Sequence, residues 1–206
     1  MDAPSIKGSA FQSVVEDVQR LLEGDRISRE ELEVRLEPAD LPLLDEKVLP
    51  AFWYPIETYR RLSELLMEIE GGGRTEYLVR RGARAAERLF ALGIYQQLRR
   101  GEAIAEEIRS SGSLWSQQDG AIMASLAGAI FSFTTWRFVA DPENRGEHRI
   151  EVSDAAALPE VARFAAQGFI EYVSTRLAKA HVRVTSERPA PDRVVFQLKP
   201  TRSAKI

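Results

Sequence analysis

The apolar residues of this chain recur at helical spacing through its first two thirds and at every second position through much of its last third. The change falls at Phe131. Before it, Phe11, Val14, Val15, Val18, Leu21 and Leu22 form one stripe of a helix over Gly8 to Leu22, which Gly24 closes. Ser28 with Glu31 makes a capping box for a short helix that carries Leu32 and Leu36 on one face and stops before Pro38. After Leu41 to Leu44 and a second stop at Pro50, the aromatic run Phe52-Trp53-Tyr54 leads into a helix with Pro55 near its first position. Ile56, Tyr59, Leu62, Leu66 and Ile69 are its inward face. Gly71-Gly72-Gly73 then reads as a connector, because Arg74-Thr75-Glu76 does not supply the Lys-Ser/Thr of a phosphate-binding loop. Further helices are predicted over Thr75 to Leu92, Tyr95 to Ser111 and, behind a cap of Ser116 and Asp119, Ala121 to Ile130.

Beyond that point Phe131 to Ala140 reads as a strand, Asp141 to Gly146 as a turn, and Glu147 to Ser153 as a second strand with His148, Ile150 and Val152 on one face. A helix is predicted over Ala155 to Lys179, capped by Ser153 or Asp154, with Pro159 in its first turn. Two more alternating stretches, His181 to Glu187 and Val194 to Leu198, flank a turn over Arg188 to Asp192. The expected fold class is α+β: a mostly helical part over 1–129, then a four-stranded antiparallel sheet in strand-strand-helix-strand-strand order over 130–199, packed together as one domain, with a frayed tail over 200–206.

Composition narrows the chemistry. With 206 residues, 44% of them hydrophobic, the chain is long enough to bury a core, and its formal charge of -3 advertises neither nucleic acid nor an anionic membrane as a partner. Arg80, Arg84 and Arg88, with Arg81 alongside, form a cationic stripe that reads as a solvated helix face. There is no cysteine, which excludes disulfides, thiolate nucleophiles and thiolate-bound metals. The N-terminus lacks the basic-then-apolar run of a secretory leader, so a cytoplasmic location is expected. The longest small and apolar run, Gly120 to Phe133, is too short to span a membrane. No Gly-x-Ser-x-Gly elbow is present, only two histidines are available as bases, and the pairs Glu30-Glu31 and Glu106-Glu107 point apart on a helix. We therefore expect no catalytic residue and no metal site.

The segments Gly146 to Asp154, Pro159 to Glu171 and Ala180 to Val184 resemble the C-terminal half of the heme-nitric-oxide-binding and 4-vinyl-reductase-like superfamily. They share its Gly-hydrophobic-hydrophobic-Glu step on a long helix before a Val-x-Val strand, here Gly168 to Glu171 and Val182 to Val184. Trp53-Tyr54-Pro55 is similar to a feature of bacterial relatives, many of them delta-proteobacterial. The resemblance implies a sensor-type scaffold, and in its heme-bearing members a histidine on a helix preceding the sheet. The corresponding region here, Arg99 through Ala129, contains none. A Tyr-x-Ser-x-Arg string like the one that holds heme propionates does occur, as Tyr172, Ser174 and Arg176, but it sits near the end of its helix. There, residues two apart lie about 200° apart around the axis, so Ser174 cannot share a face with the other two. The chain is thus expected to be a non-heme relative without a cofactor.

Two binding roles remain. The preferred one is a non-catalytic regulatory adaptor with a protein partner, for which a homodimer is the default expectation. Its contact surface is taken to include Phe52, Trp53 and Tyr54, and the sheet's outer face, where Arg137, Arg149, Arg183 and Lys199 line up if register permits. The alternative is a sensor of an apolar small molecule, with a pocket between helices and sheet lined by Trp115, Met123, Phe133, Trp136, Phe138 and Phe169.

Overall fold

A computed structural model of the chain describes residues 3–91, 124–140, 148–178 and 180–201. The predicted helix over Tyr95 to Ser111, the Ser116–Asp119 cap and the turn over Asp141 to Gly146 lie outside them. In order, the elements are β1 (Ser5–Lys7), α1 (Gly8–Glu23), α2 (Arg29–Arg35), α3 (Leu41–Asp45), β2 (Trp53–Pro55), α4 (Ile56–Gly71) and α5 (Thr75–Ala91). After a helical stretch at 124–128 come β3 (Thr135–Ala140), β4 (His148–Ser153), α6 (Glu160–Ala178), β5 (Val182–Ala190) and β6 (Arg193–Pro200). The fold is α+β, helical first and sheet second, as the change in periodicity predicts.

Each N-terminal helix buries the stripe its spacing marks out. In α1 these are Phe11, Val14, Val15, Val18 and Leu21, and in α4 Ile56, Tyr59, Leu62 and Leu66, joined by Leu65. The capping box forms: Ser28 Oγ accepts from the Glu31 amide at 3.2 Å, and Glu31 Oε2 accepts from the Ser28 amide at 2.9 Å. Two features were not anticipated. One is α3, whose early proline needs no amide partner in a first turn. The other is the pairing of β1 with β2, in which Ile6 faces Tyr54 and Lys7 faces Trp53. Asp40, between α2 and α3, is wholly buried. Its carboxylate accepts from Thr58 Oγ1 at 2.5 Å and from Arg61 Nε and Nη2 at 2.5 and 2.8 Å, which ties this loop to α4. Burial pushes the Asp40 carboxyl up, but the Arg61 and Thr58 hydrogen bonds and the Arg61 charge outweigh it and hold the pKa below the ordinary range.

The sheet is antiparallel throughout, in the order β3-β4-β6-β5. Ile150 and Val152, Val194, Phe196 and Leu198, and Val182 and Val184 are buried on its inner face. Helix α6 packs against β5 and β6 on one side and α5 on the other. Three boundaries differ from the predicted ones, each for a tertiary reason. The first sheet strand begins at Thr135, because Phe131 bridges to Ile6 instead, with the Lys7 amide donating to Ile130 O at 2.8 Å and the Ser132 amide to Ser5 O at 3.0 Å. The long helix begins at Glu160 after a 3-10 turn over Ala155–Ala157, and Asp154, at φ 58°, takes a hydrogen bond from Thr135 Oγ1 rather than capping the helix. Strand β5 runs on to Ala190 because Arg188 reaches back to donate to the carbonyls of Ala155 and Leu158.

Helices α5 and α6 approach each other closely. A methyl group on Gly82 would overlap the backbone carbonyl of Ala165, and one on Gly168 that of Val79. The two helix backbones are therefore in direct contact at reciprocal glycines.

Two outcomes follow from this packing. Gly82→Ala or Gly168→Ala must push the helices apart and is expected to cost about 3 kcal/mol, whereas Glu87→Ala on the exposed face of α5 costs less than about 0.5 kcal/mol; urea unfolding midpoints measure both. Because the folded-state pKa of Asp40 is depressed, its contribution is complete above the unfolded value of about 3.9 and is lost as pH falls through the folded one. Asp40→Asn is accordingly expected to cost about 2–3 kcal/mol at pH 7, with the gap to the parent protein closing in unfolding curves taken below about pH 4.

Candidate functional site

Around the glycine contact the facing side chains are short. Ala85 on α5 and Ala162, Ala165 and Ala166 on α6 do not reach across, and the space they leave is part of a cavity of about 240 Å³. Ile6, Ala10, Leu89, Ile130 and Ile170 add to its apolar wall, and three rings, Phe131, Trp136 and Phe169, complete the apolar side. Phe131 stacks on Trp136 with centroids 6.1 Å apart, and Trp136 on Phe196 at 5.6 Å, so the aromatic side of the wall is continuous with the sheet's inner face.

The polar part of the wall comes from α1 and α5. Arg81 is buried, and its guanidinium is held by Asp17 and by Ser13 O, the latter at 2.7 Å. It thus leaves the solvated stripe expected for it, since a buried cation has to be paired. Gln12 Nε2 donates to Glu16 Oε1 at 2.6 Å. Arg88 lines the cavity from an exposed position, with Arg84 and Arg80 on the exposed side of the same helix. Tyr59 is buried in the wall; burial pushes its phenol pKa up, partly countered by the nearby Arg81 charge, so it stays neutral.

Of the residues expected to line a pocket, Trp136 and Phe169 do so. Phe133 instead packs edge-on against Phe131 at 6.1 Å, and Phe138 lies against His148 at 5.4 Å, neither in the cavity wall. Trp115 and Met123 lie outside the described residues. Of the expected contact surface, Phe52 and Trp53 are 60% and 46% exposed, with Lys7 Nζ 4.4 Å above the Trp53 ring. Tyr54 turns inward: its ring stacks on Phe11 at 4.7 Å and its hydroxyl accepts from the Leu49 amide at 2.8 Å. On the outer sheet face the register gathers Arg137 and Arg149 around Glu151, joined by Arg193, while Arg183 sits opposite Lys199 at the far side. These arginines, Arg137 and then Arg149 foremost, hold the Glu151 pKa at about 2 against the opposing effect of burial. The expected row is therefore two groups, one of them built around an acid.

The cavity wall was largely hidden in the sequence. Gly82, Ala85 and Ala165 are small residues within helices and carry no chemistry of their own, and the one local clue was glycine inside two long helical stretches, which disfavour it unless another backbone comes close.

An iron porphyrin needs an axial base from the wall. Among the described lining residues there is no imidazole, thiolate or thioether. His181 is on β5's approach, exposed, with Nδ1 2.7 Å from Thr201 Oγ1, and His148 is on β4. The Tyr172, Ser174 and Arg176 string is split as helical geometry requires: Tyr172 and Arg176 both flank Phe90, whereas Ser174 is wholly buried. The described residues also contain no group of three or more His, Asp or Glu able to hold a metal ion, and no helix long and apolar enough to cross a membrane.

No protein-family model matches the chain, and no curated protein is similar to it in sequence. Solved structures are similar in fold. A single-site variant of the Fe(II) unliganded H-NOX protein from K. algicida superposes with a TM-score of 0.60 at 11% identity, covering 97% of this chain and 98% of that one. A structure from work on heme distortion in the H-NOX family gives 0.54 at 16% identity, covering 98% and 100%. A variant of T. Tengcongensis H-NOX gives 0.53 at 14%, covering 97% and 100%. The likeness extends over nearly the whole chain, beyond the last third that carried the resemblance in sequence, and the protein therefore has an H-NOX-like fold.

Proposed function

We propose that the protein is a non-catalytic receptor for a small apolar molecule, bound between α1, α5, α6 and the aromatic start of the sheet, and that it does not carry heme. The cavity carries this reading. Apolar cavities of about 150 Å³ take up benzene, so a space of about 240 Å³ suits a ligand of roughly ten to fifteen heavy atoms. A porphyrin is larger and would find no imidazole or thiolate on the described wall, where burial keeps the Tyr59 phenol neutral. This reverses the preference for a pure adaptor, which rested on a lack of ligand-fixing polar residues in the sequence.

The adaptor surface keeps a place in this reading as the output. Ile6 lines the cavity and pairs with Tyr54 in β2, next to the exposed Trp53 and Phe52. A ligand that shifts Ile6 moves the strand that carries these rings, and a protein partner reading them would sense occupancy.

Native mass spectrometry and an absorbance scan of the purified protein are the test. The expected result is a co-purified small molecule and no Soret band. Ala85→Trp, which fills the cavity, is expected to remove the mass increment while the circular dichroism spectrum is retained. A Soret band overturns the non-heme assignment, and an increment that survives Ala85→Trp overturns the cavity as its site.

A further inference from the structure

We infer that the molecule bound here is an amphipathic carboxylate whose headgroup rests on Arg88; this depends on the cavity being the binding site as proposed above. Three charged side chains line the space: Arg81, Glu16 and Arg88. Arg81 is already neutralised by Asp17 and capped by Ser13 O. Glu16 takes the Gln12 amide on one oxygen. Arg88 makes no hydrogen bond or ion pair among the described residues. It is thus the charge in the described wall with its full set of donors open, and it stands one turn from Ala85 and next to Leu89, both apolar wall residues.

A guanidinium presents a planar fork of donors that matches the two oxygens of a carboxylate. Arg84, one turn back on the same exposed face, adds positive potential at this edge. Glu16 lines the same cavity from α1 and opposes a second negative charge, so a monoanion is favoured over a phosphate dianion. An apolar body in the chamber with a carboxylate at its edge uses both halves of the wall. A solvated Arg88 with no ligand role is the competing account, and the two differ in what substitution does.

Octanoate and 1-octanol share a hydrocarbon body and differ in charge. Titration calorimetry, with fluorescence of the cavity-lining Trp136 as a second readout, is expected to give octanoate an affinity about tenfold higher than octanol. Arg88→Gln should bring octanoate down to the octanol value and leave octanol unchanged. Glutamine is a good helix former and the position is exposed, so folding is retained. Equal affinities in the parent protein, or a preference for octanoate that survives Arg88→Gln, overturn the headgroup assignment while leaving the cavity intact. Failure of both probes to bind, or binding unchanged by Ala85→Trp, overturns the cavity itself and this inference with it.

Discussion

Two helix backbones touch where Gly82 meets Ala165 and Gly168 meets Val79, and most of the architecture depends on that contact. Glycine inside a helix costs about 1 kcal/mol relative to alanine, so two such positions are sustained only if the close approach returns more. What it returns is the joining of the two halves of the fold. Helix α6 lies on β5 and β6, α5 lies on α6, and α4 lies on both α5 and α1. The same contact brings alanine-lined surfaces opposite each other, and side chains that short leave a cavity beside the point of contact. A tight crossing and an open chamber are two results of one arrangement.

Buried charge follows a consistent rule across the molecule. Asp40 is met by Arg61 and Thr58, Arg81 by Asp17, and Arg163 by Glu160 and Ser186, each joining elements that are separate along the chain or closing a helix turn onto a strand. Removal from water requires this, because an unpaired ion in a low-dielectric interior is unstable by several kcal/mol. Arg81 and Arg88 illustrate the boundary. They lie two turns apart on α5 and both line the cavity, but one is buried and paired whereas the other reaches solvent and has no need of a partner within the fold.

The H-NOX-like fold is reached here with no imidazole, thiolate or thioether among the described residues of the cavity wall. Fold depends on where apolar side chains recur, which many sequences satisfy, whereas a metal-bound cofactor depends on one base at one place. The first condition is met along nearly the whole chain, and for the second the described cavity wall offers no imidazole, thiolate or thioether.

Local sequence pattern determined the change from helices to the four-stranded sheet, the inward stripes of α1 and α4, the capping box at Ser28 and Glu31, and the alternation that buries Ile150, Val152, Phe196 and Leu198. These are local consequences of side-chain spacing and hydrogen-bond geometry, so one segment at a time is enough to read them. Tertiary structure decided the rest. Phe131 left the sheet for Ile6, Tyr54 turned inward onto Phe11, Arg81 was buried and Arg183 fell away from Arg137. The cavity belongs to the same class, since its walls come from residues as far apart as Ile6 and Ile170 and its volume is set by atoms that are absent from alanine and glycine. A spacing pattern records which side chains face inward, but the distance between two backbones is fixed only when both helices are in place.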